Sequence, residues 1–277
     1  MTTHRLGFGP RLVGTPTGRL DAAVMVKPSP RIENGKTLIG EPSPIYSRAV
    51  EQHDVLRKRL EYFGVKVEVI DARGDDPSEC AAADTAIVFE DGAVIMRPTS
   101  LARRAEADRM EAEFSRLDVP LAGHIAAPGL LDGGDVVLAG DTAFVGVGQR
   151  GNEFGRDGFA KLAASHGYRV VEVPLPPGVP ALRAVAGTVA KDTIVVGSGT
   201  VDLALFAGFK TIALERGEEL AAGVICLGER HVLAEIRYRT AIPLLRRAGV
   251  GVEAIDLYEF TKLGITPSML VLALKRD

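Results

Sequence analysis

Two thiols and five imidazoles are available to this chain as nucleophile and base: Cys80 and Cys226, and His4, His53, His124, His166 and His231. A cysteine attacks carbon as its thiolate, which needs a neighbouring base or cation. Cys226 lies in the apolar run AAGVICLGER, where a free cysteine packs as a small hydrophobe. Cys80, in DDPSECAAAD, is four residues from Asp84 and has no identifiable base. The histidines show no metal-ligand spacing, and none occurs between His166 and His231. Near the end, GITPSMLVLALK (264–275) offers Ser268 and Met269. A serine hydroxyl needs a base before it can attack, and a thioether has no proton to lose. Four charged residues stand at turn signals. Read locally, Asp132 in LLDGGDV is a turn aspartate before two glycines, and Asp84 is a cap before the strand TAIVF. Taken singly, Arg97 in IMRP and Arg150 in GQRGN read as solvated arginines.

Short apolar runs alternate with amphipathic stretches along the chain. Strands are predicted at 22–26, 65–70, 85–89, 93–96, 135–139, 143–147, 168–173, 193–197, 211–214, 224–227 and 270–274. Two pairs, TAIVF-EDG-AVIM and DVVLA-GDT-AFVGV, read as hairpins with turns that tolerate positive φ. Apolar residues recur at helical spacing in 47–63, 101–114, 155–167 and 239–249, with Gly64, Gly167 and Gly249 or Gly251 as stops. The repeated strand–strand–helix–strand order, without a long linker, predicts one α/β domain built from similar modules.

Of 277 residues, 46% are hydrophobic and 25% charged, the balance of an ordinary soluble globular chain. A net charge of -3 with no basic patch argues against nucleic acid as a partner. The start, MTTHRLGFGPRLVGT, lacks the apolar stretch of a signal peptide, and no segment offers ~20 uninterrupted apolar residues, so no membrane partner is expected. Two distant cysteines suggest no disulfide framework and fit the cytoplasm.

Three stretches together go beyond pattern: TAIVFEDGAVIMRPTSLARRAEADRM (85–110) with Asp84 before it, LLDGGDVVLAGDTAFVGVGQRGNEFG (130–155), and the terminal GITPSMLVLALK. Their combination resembles the dimethylarginine dimethylaminohydrolases and, more widely, the arginine deiminase and amidinotransferase superfamily. The likeness runs from about residue 20 to the end. It implies a pentein, an α/β-propeller of five ββαβ-type modules about a pseudo-fivefold axis, as a single domain over 1–277 with 1–20 as an N-terminal extension. It implies no cofactor and no metal.

In that family a cysteine thiolate attacks the guanidinium carbon, a histidine moves protons and an acid orients the histidine. A further carboxylate grips the guanidinium, and arginines hold the substrate's carboxylate. A guanidinium is a poor electrophile, so such a site needs a strong nucleophile and anions to hold the cation. The resemblance makes Asp132 the orienting acid, Asp84 the guanidinium-gripping carboxylate, and Arg97 and Arg150 the carboxylate-binding arginines. Asn152 shapes the turn beside Arg150. The nucleophile position falls on Met269, or on Ser268 with a slip of one residue, and the histidine position falls on Ala181. Ala83 and Ser78 replace two further acids, for which Glu79 is a partial substitute.

The expected function is therefore that of a hydrolysis-defective member that keeps a pocket for a small guanidino or amino-acid-like carboxylate ligand. A hydrolase of the family acting on methylated arginine or another guanidino or amidino compound through a non-standard nucleophile is the alternative. A small molecule bearing a carboxylate is the expected partner, with a homo-oligomer left open.

Overall fold

The computed structural model describes Phe8, Gly9 and residues 11–277; His4 and most of the first ten residues of the expected extension lie outside the described residues. Among the described residues, fifteen strands form five three-stranded sheets. The first joins β1 (Leu20–Val26) and β2 (Lys66–Ile70) to the last strand in the chain, β15 (Leu272–Arg276), in the order β15-β1-β2. The second contains β3 (Ala86–Val88), β4 (Ala93–Ile95) and β5 (Leu121–His124), and the third β6 (Val136–Ala139), β7 (Thr142–Val147) and β8 (Arg169–Pro174). The fourth contains β9 (Ala186–Ala190), β10 (Thr193–Gly197) and β11 (Lys210–Leu214), and the fifth β12 (Ile225–Gly228), β13 (His231–Glu235) and β14 (Gly251–Ile255).

Every sheet pairs two strands antiparallel and adds the third parallel. A parallel third strand needs a crossover, and a helix provides it in four sheets. These are α1 (Tyr46–Tyr62), α2 (Arg104–Arg116), α3 (Glu153–Ser165) and, in the fifth sheet, α5 (Ala241–Arg247). The crossover from β10 to β11 holds only a 3-10 turn, Leu203–Phe206. Short helices α4 (Leu182–Val185), α6 (Tyr258–Thr261) and α7 (Pro267–Leu270) lie outside these crossovers. Residues from β3, β6, β9, β12 and β15, one strand of each sheet, line one shared cavity. Those strands are therefore innermost. This is the five-module arrangement that the resemblance implies.

Local sequence explains the pieces. In α1, Ala49, His53, Leu56 and Leu60 recur on one face and are the residues it buries. Asn152 caps α3, its side-chain oxygen accepting from Gly155 N–H, and it also ties Leu130 N–H, 2.9 Å in both cases. Gly64 and Gly167 follow helices at φ of 84° and 81°, as expected of C-terminal stops.

The structure corrects the sequence reading at several elements. Strands β5, β9, β13 and β14 were not predicted, and the final strand begins at Leu272, because 267–270 form α7. The helix expected over 239–249 is shorter, spanning Ala241–Arg247. No helix among the described residues is long and apolar enough to cross a membrane.

Candidate functional site

The segments that lead into four of the inner strands carry the candidate residues. Asp84 ends a 3-10 turn before β3, and Asp132 precedes the turn Gly133–Asp135 before β6. Ala181 precedes α4, which runs into β9, and Met269 lies in α7 before β15. These four lead-in segments pack against one another at one end of the inner strands.

Glycine makes that approach feasible. A Cβ on Gly133 would stand 2.2 Å from the Ala83 carbonyl oxygen. One on Gly134 would stand 2.2 Å from Asp84 Oδ1, and 3.3 Å from both Arg150 Nη1 and Met269 Cε. With no Cβ there, Gly134 donates its backbone N–H to Asp84 Oδ1 at 2.9 Å. The pair of glycines in LDGGDV thus draws Asp84, Arg150 and Met269 around one backbone position.

Arg150 is the hub. It donates from Nε (2.9 Å) and Nη2 (2.7 Å) to Asp132 Oδ2, and Nη2 lies 2.7 Å from Asp84 Oδ2. Its Nη1 donates to the Pro180 carbonyl at 3.3 Å. Asp132 Oδ1 accepts from Thr99 N–H at 2.7 Å. Arg103, buried, donates to Asp84 from the other side and forms an ion pair with Glu106 at 2.7 Å. Burial by itself would push the Asp84 carboxyl up; the guanidinium groups of Arg150 and Arg103 outweigh it and hold it below the usual carboxylate range. Burial likewise disfavours the charged form of Arg150, but Asp84, Asp132 and Asp135 raise its pKa further above the ordinary value.

Sequence reasoning missed three members of this cluster. Asp135 is buried, accepts from Leu182 N–H at 2.8 Å, and burial pushes its carboxyl up to about 7 against the pull of Arg150. Glu106 is also raised by burial to about 7, Arg103 notwithstanding. Arg103 stands in a run of charged residues at a helix start, where solvent is the default reading. No local signal separates it from its neighbours Arg104 and Arg109.

Arg97 is placed differently from Arg150. Its guanidinium is half-buried and donates from Nη1 to the Gly129 carbonyl at 3.1 Å, while Leu131 bridges the backbones of Arg97 and Gly151. Arg97 and Arg150 therefore flank one strand-like segment, but only Arg150 enters the acidic cluster. Two residues from Arg97, the Thr99 hydroxyl is buried and finds no hydrogen-bond partner among the described residues. Glu79 pairs with Arg109 at 2.5 Å and accepts from Arg73 and Gly74 N–H.

Met269 and Ala181, onto which the resemblance places the nucleophile and base positions, are both buried. The flanks of Ala181 touch the cluster, through Pro180 to Arg150 and through Leu182 to Asp135. Ser268 donates its hydroxyl to the Arg183 carbonyl at 3.1 Å. Cys80 is buried, and burial pushes its thiol up to about 12. Cys226 is buried too, its thiol raised by burial and donating to the Gly228 carbonyl. Among the described residues no group of three or more His, Cys, Asp or Glu is disposed to hold a metal ion. What the cluster does chemically is hold guanidinium groups between carboxylates.

No protein-family model matches the chain. It is 31% identical over 243 residues to an N(G),N(G)-dimethylarginine dimethylaminohydrolase of Streptomyces coelicolor, covering 87% of this chain and 92% of that protein. Its counterpart from Pseudomonas aeruginosa is 25% identical over 236 residues, with 85% and 92% covered. A structure of a mutant Pseudomonas aeruginosa enzyme in complex with citrulline superposes with a TM-score of 0.82 at 22% identity, over 92% of this chain and 99% of that one. The product-bound N-terminal domain of ArgZ, a cyanobacterial arginine dihydrolase, superposes at 0.80 with 18% identity, over 92% and 97%. The fold is that of the penteins, and the chain belongs to the dimethylarginine dimethylaminohydrolase family.

Proposed function

We propose that this protein is a hydrolysis-defective member of its family that keeps a pocket for a small guanidino or amino-acid-like carboxylate ligand. The observation that supports the reading is that buried Met269 and Ala181 lie beside the Asp84–Arg150–Asp132 cluster, Met269 across Gly134 from Asp84 and Ala181 between Pro180, which accepts from Arg150, and Leu182, which donates to Asp135. A thioether forms no thiolate, and a methyl group moves no proton. Cys80, with its thiol raised to about 12, stays protonated at neutral pH.

Binding works by exchange. Arg150 now occupies the carboxylates that would receive a ligand's guanidinium. An entering guanidinium takes its place between Asp84 and Asp132, and the displaced Arg150 turns to the ligand's carboxylate together with Arg97. One cation replaces another, so the carboxylates are never left uncompensated. The unpaired Thr99 hydroxyl is a polar partner for the same ligand. The reading takes 1–277 as one domain and the two buried free cysteines as fitting the cytoplasm.

The test is to incubate the purified protein with arginine and with methylated arginines, follow citrulline by mass spectrometry, and measure binding by calorimetry. Saturable binding without citrulline is expected. Citrulline above the level of an enzyme-free control refutes the hydrolytic defect, and no heat with any guanidino or amino-acid ligand refutes the pocket.

A further inference from the structure

A second cluster of charge lies away from the acidic site. The cavity shared by the five innermost strands, about 110 Å³, is lined by Arg183 and Arg276 and by no aspartate or glutamate. Neither Asp84, Asp132, Arg150 nor Met269 lines it. Arg183 comes from the segment leading into β9, and Arg276 from the end of β15.

The two half-buried guanidinium groups differ from the other cations packed inside the fold. Arg103, Arg150 and Lys262 each face a carboxylate, Lys262 through Glu259 at 2.7 Å. Arg183 donates only to neutral carbonyls, Val136 at 2.8 Å and Ser268 at 3.2 Å. Arg276 does the same, to Gly18 at 2.9 Å and Cys226 at 2.8 Å. A guanidinium carries five N–H donors, so most remain for another partner. Among the described residues neither forms an ion pair with an acidic side chain. Burial lowers the pKa of both, that of Arg183 to about 10; at Arg183 the charge of Asp84 pulls the other way and that of Arg276 adds to the lowering. Both stay charged at neutral pH. Two like charges facing one cavity whose own lining holds no carboxylate are costly unless an anion completes the set.

We propose that this cavity is a binding site for one small inorganic anion, of the size class of chloride, nitrate or phosphate, held between the guanidinium groups of Arg183 and Arg276. The volume admits such an ion. The anion links the lead-in of β9 to the end of β15, and through β15 to the sheet that contains β1. Its effect is on the stability of the ring.

The test uses thermal unfolding of the full chain at constant ionic strength, with the bulky anion gluconate replaced stepwise by nitrate, chloride or inorganic phosphate. A saturable rise in Tm with at least one small anion is expected, because a ligand that binds only the folded state stabilises it by mass action. Arg276→Gln should weaken the half-saturating concentration tenfold or more. Should that variant fail to fold, Arg183→Gln takes its place. Bromide soaked into wild-type crystals and located by anomalous scattering gives the position without any substitution. Equal Tm in gluconate and in every small anion overturns the proposal, as does a rise that both variants retain in full. Bromide seen only in the crystal, without the Tm response, means binding at crystal concentration only and overturns it as well.

Discussion

Arg150 Nη2 lies 2.7 Å from Asp84 Oδ2 and 2.7 Å from Asp132 Oδ2, so one nitrogen of the chain's own guanidinium bridges two carboxylates from segments that lead into different sheets. Arg103 also donates to Asp84, so two guanidinium groups face these two carboxylates without any ligand.

Replacing Arg150 with Met should cost about 3–5 kcal/mol at pH 7, the usual range for breaking a buried pair from one side. The sign of the pH dependence follows from Asp84, whose carboxyl is held below its ordinary value of 3.8. A depressed carboxylate contributes stability that is present above the unfolded value and lost as pH falls through the folded one. The gap between wild type and Arg150→Met in urea unfolding should therefore be full at pH 7 and narrow below about pH 4. Millimolar methylguanidinium should raise the Tm of the variant more than that of the wild type at matched ionic strength.

Met269→Cys alone should yield no citrulline from methylated arginine. A free thiol titrates near ~8.5, burial raises it, and no imidazole stands by to protonate the leaving amine. Adding Ala181→His should give measurable turnover, because Asp135 already binds the N–H of the adjoining Leu182. A single variant as fast as the double would remove Ala181 from the role of base position.

Gly134→Ala and Gly158→Ala should act in opposite directions. The first puts a methyl 2.2 Å from Asp84 Oδ1 and should destabilise by roughly 1–3 kcal/mol. The second, inside α3, meets nothing within 4 Å and should stabilise by up to about 1 kcal/mol, since alanine is the better helix former. Chemical denaturation of the two variants measures both.

His53 should govern stability in mild acid. It is buried in α1, its Nε2 has no partner among the described residues, and burial lowers its pKa from 6.5 to about 4. The neutral ring is the folded form, so its contribution is intact above pH 6.5 and is lost as pH falls toward 4. The full displacement corresponds to roughly 3 kcal/mol. His53→Leu should flatten the decline between pH 6.5 and 4 in a pH series of unfolding curves. An unchanged slope would mean that other groups drive it.

The legible part of the fold was the part with strong patterning. Strands such as TIVVG and the helix around Leu56 and Leu60 carry β-branched runs or a clean helical stripe. The strand AGTVA at β9 is built of small residues, and LAGH at β5 is a half-exposed edge with a glycine in it, so neither shows a strand period. HVLAE at β13 mixes in helix formers, and its Glu235 is buried, where it accepts backbone N–H groups from Arg237 and Leu257. In the site, the family resemblance singled out Asp84, Asp132 and Arg150, and the fold brings both carboxylates onto Arg150. It did not distinguish Arg103 or Asp135, because a charged residue announces its burial only through partners distant in sequence. Nor did it foresee that Arg150 would turn inward while Arg97 stayed apart.

The pairing of β15 with β1 sets an order of events. Leu20–Val26 leaves the ribosome about 250 residues before Leu272–Arg276, its antiparallel partner. Throughout that interval β1 has β2 on one side and an open edge on the other, a state prone to pairing with the wrong strand. The other four sheets draw their strands from contiguous stretches and can assemble as they emerge. Growth of the polypeptide is thus expected to yield four finished blades and one waiting one, with the last strand acting as the clasp. Ribosome-stalled chains ending before 272 should be more sensitive to protease in 20–70 than in 86–174.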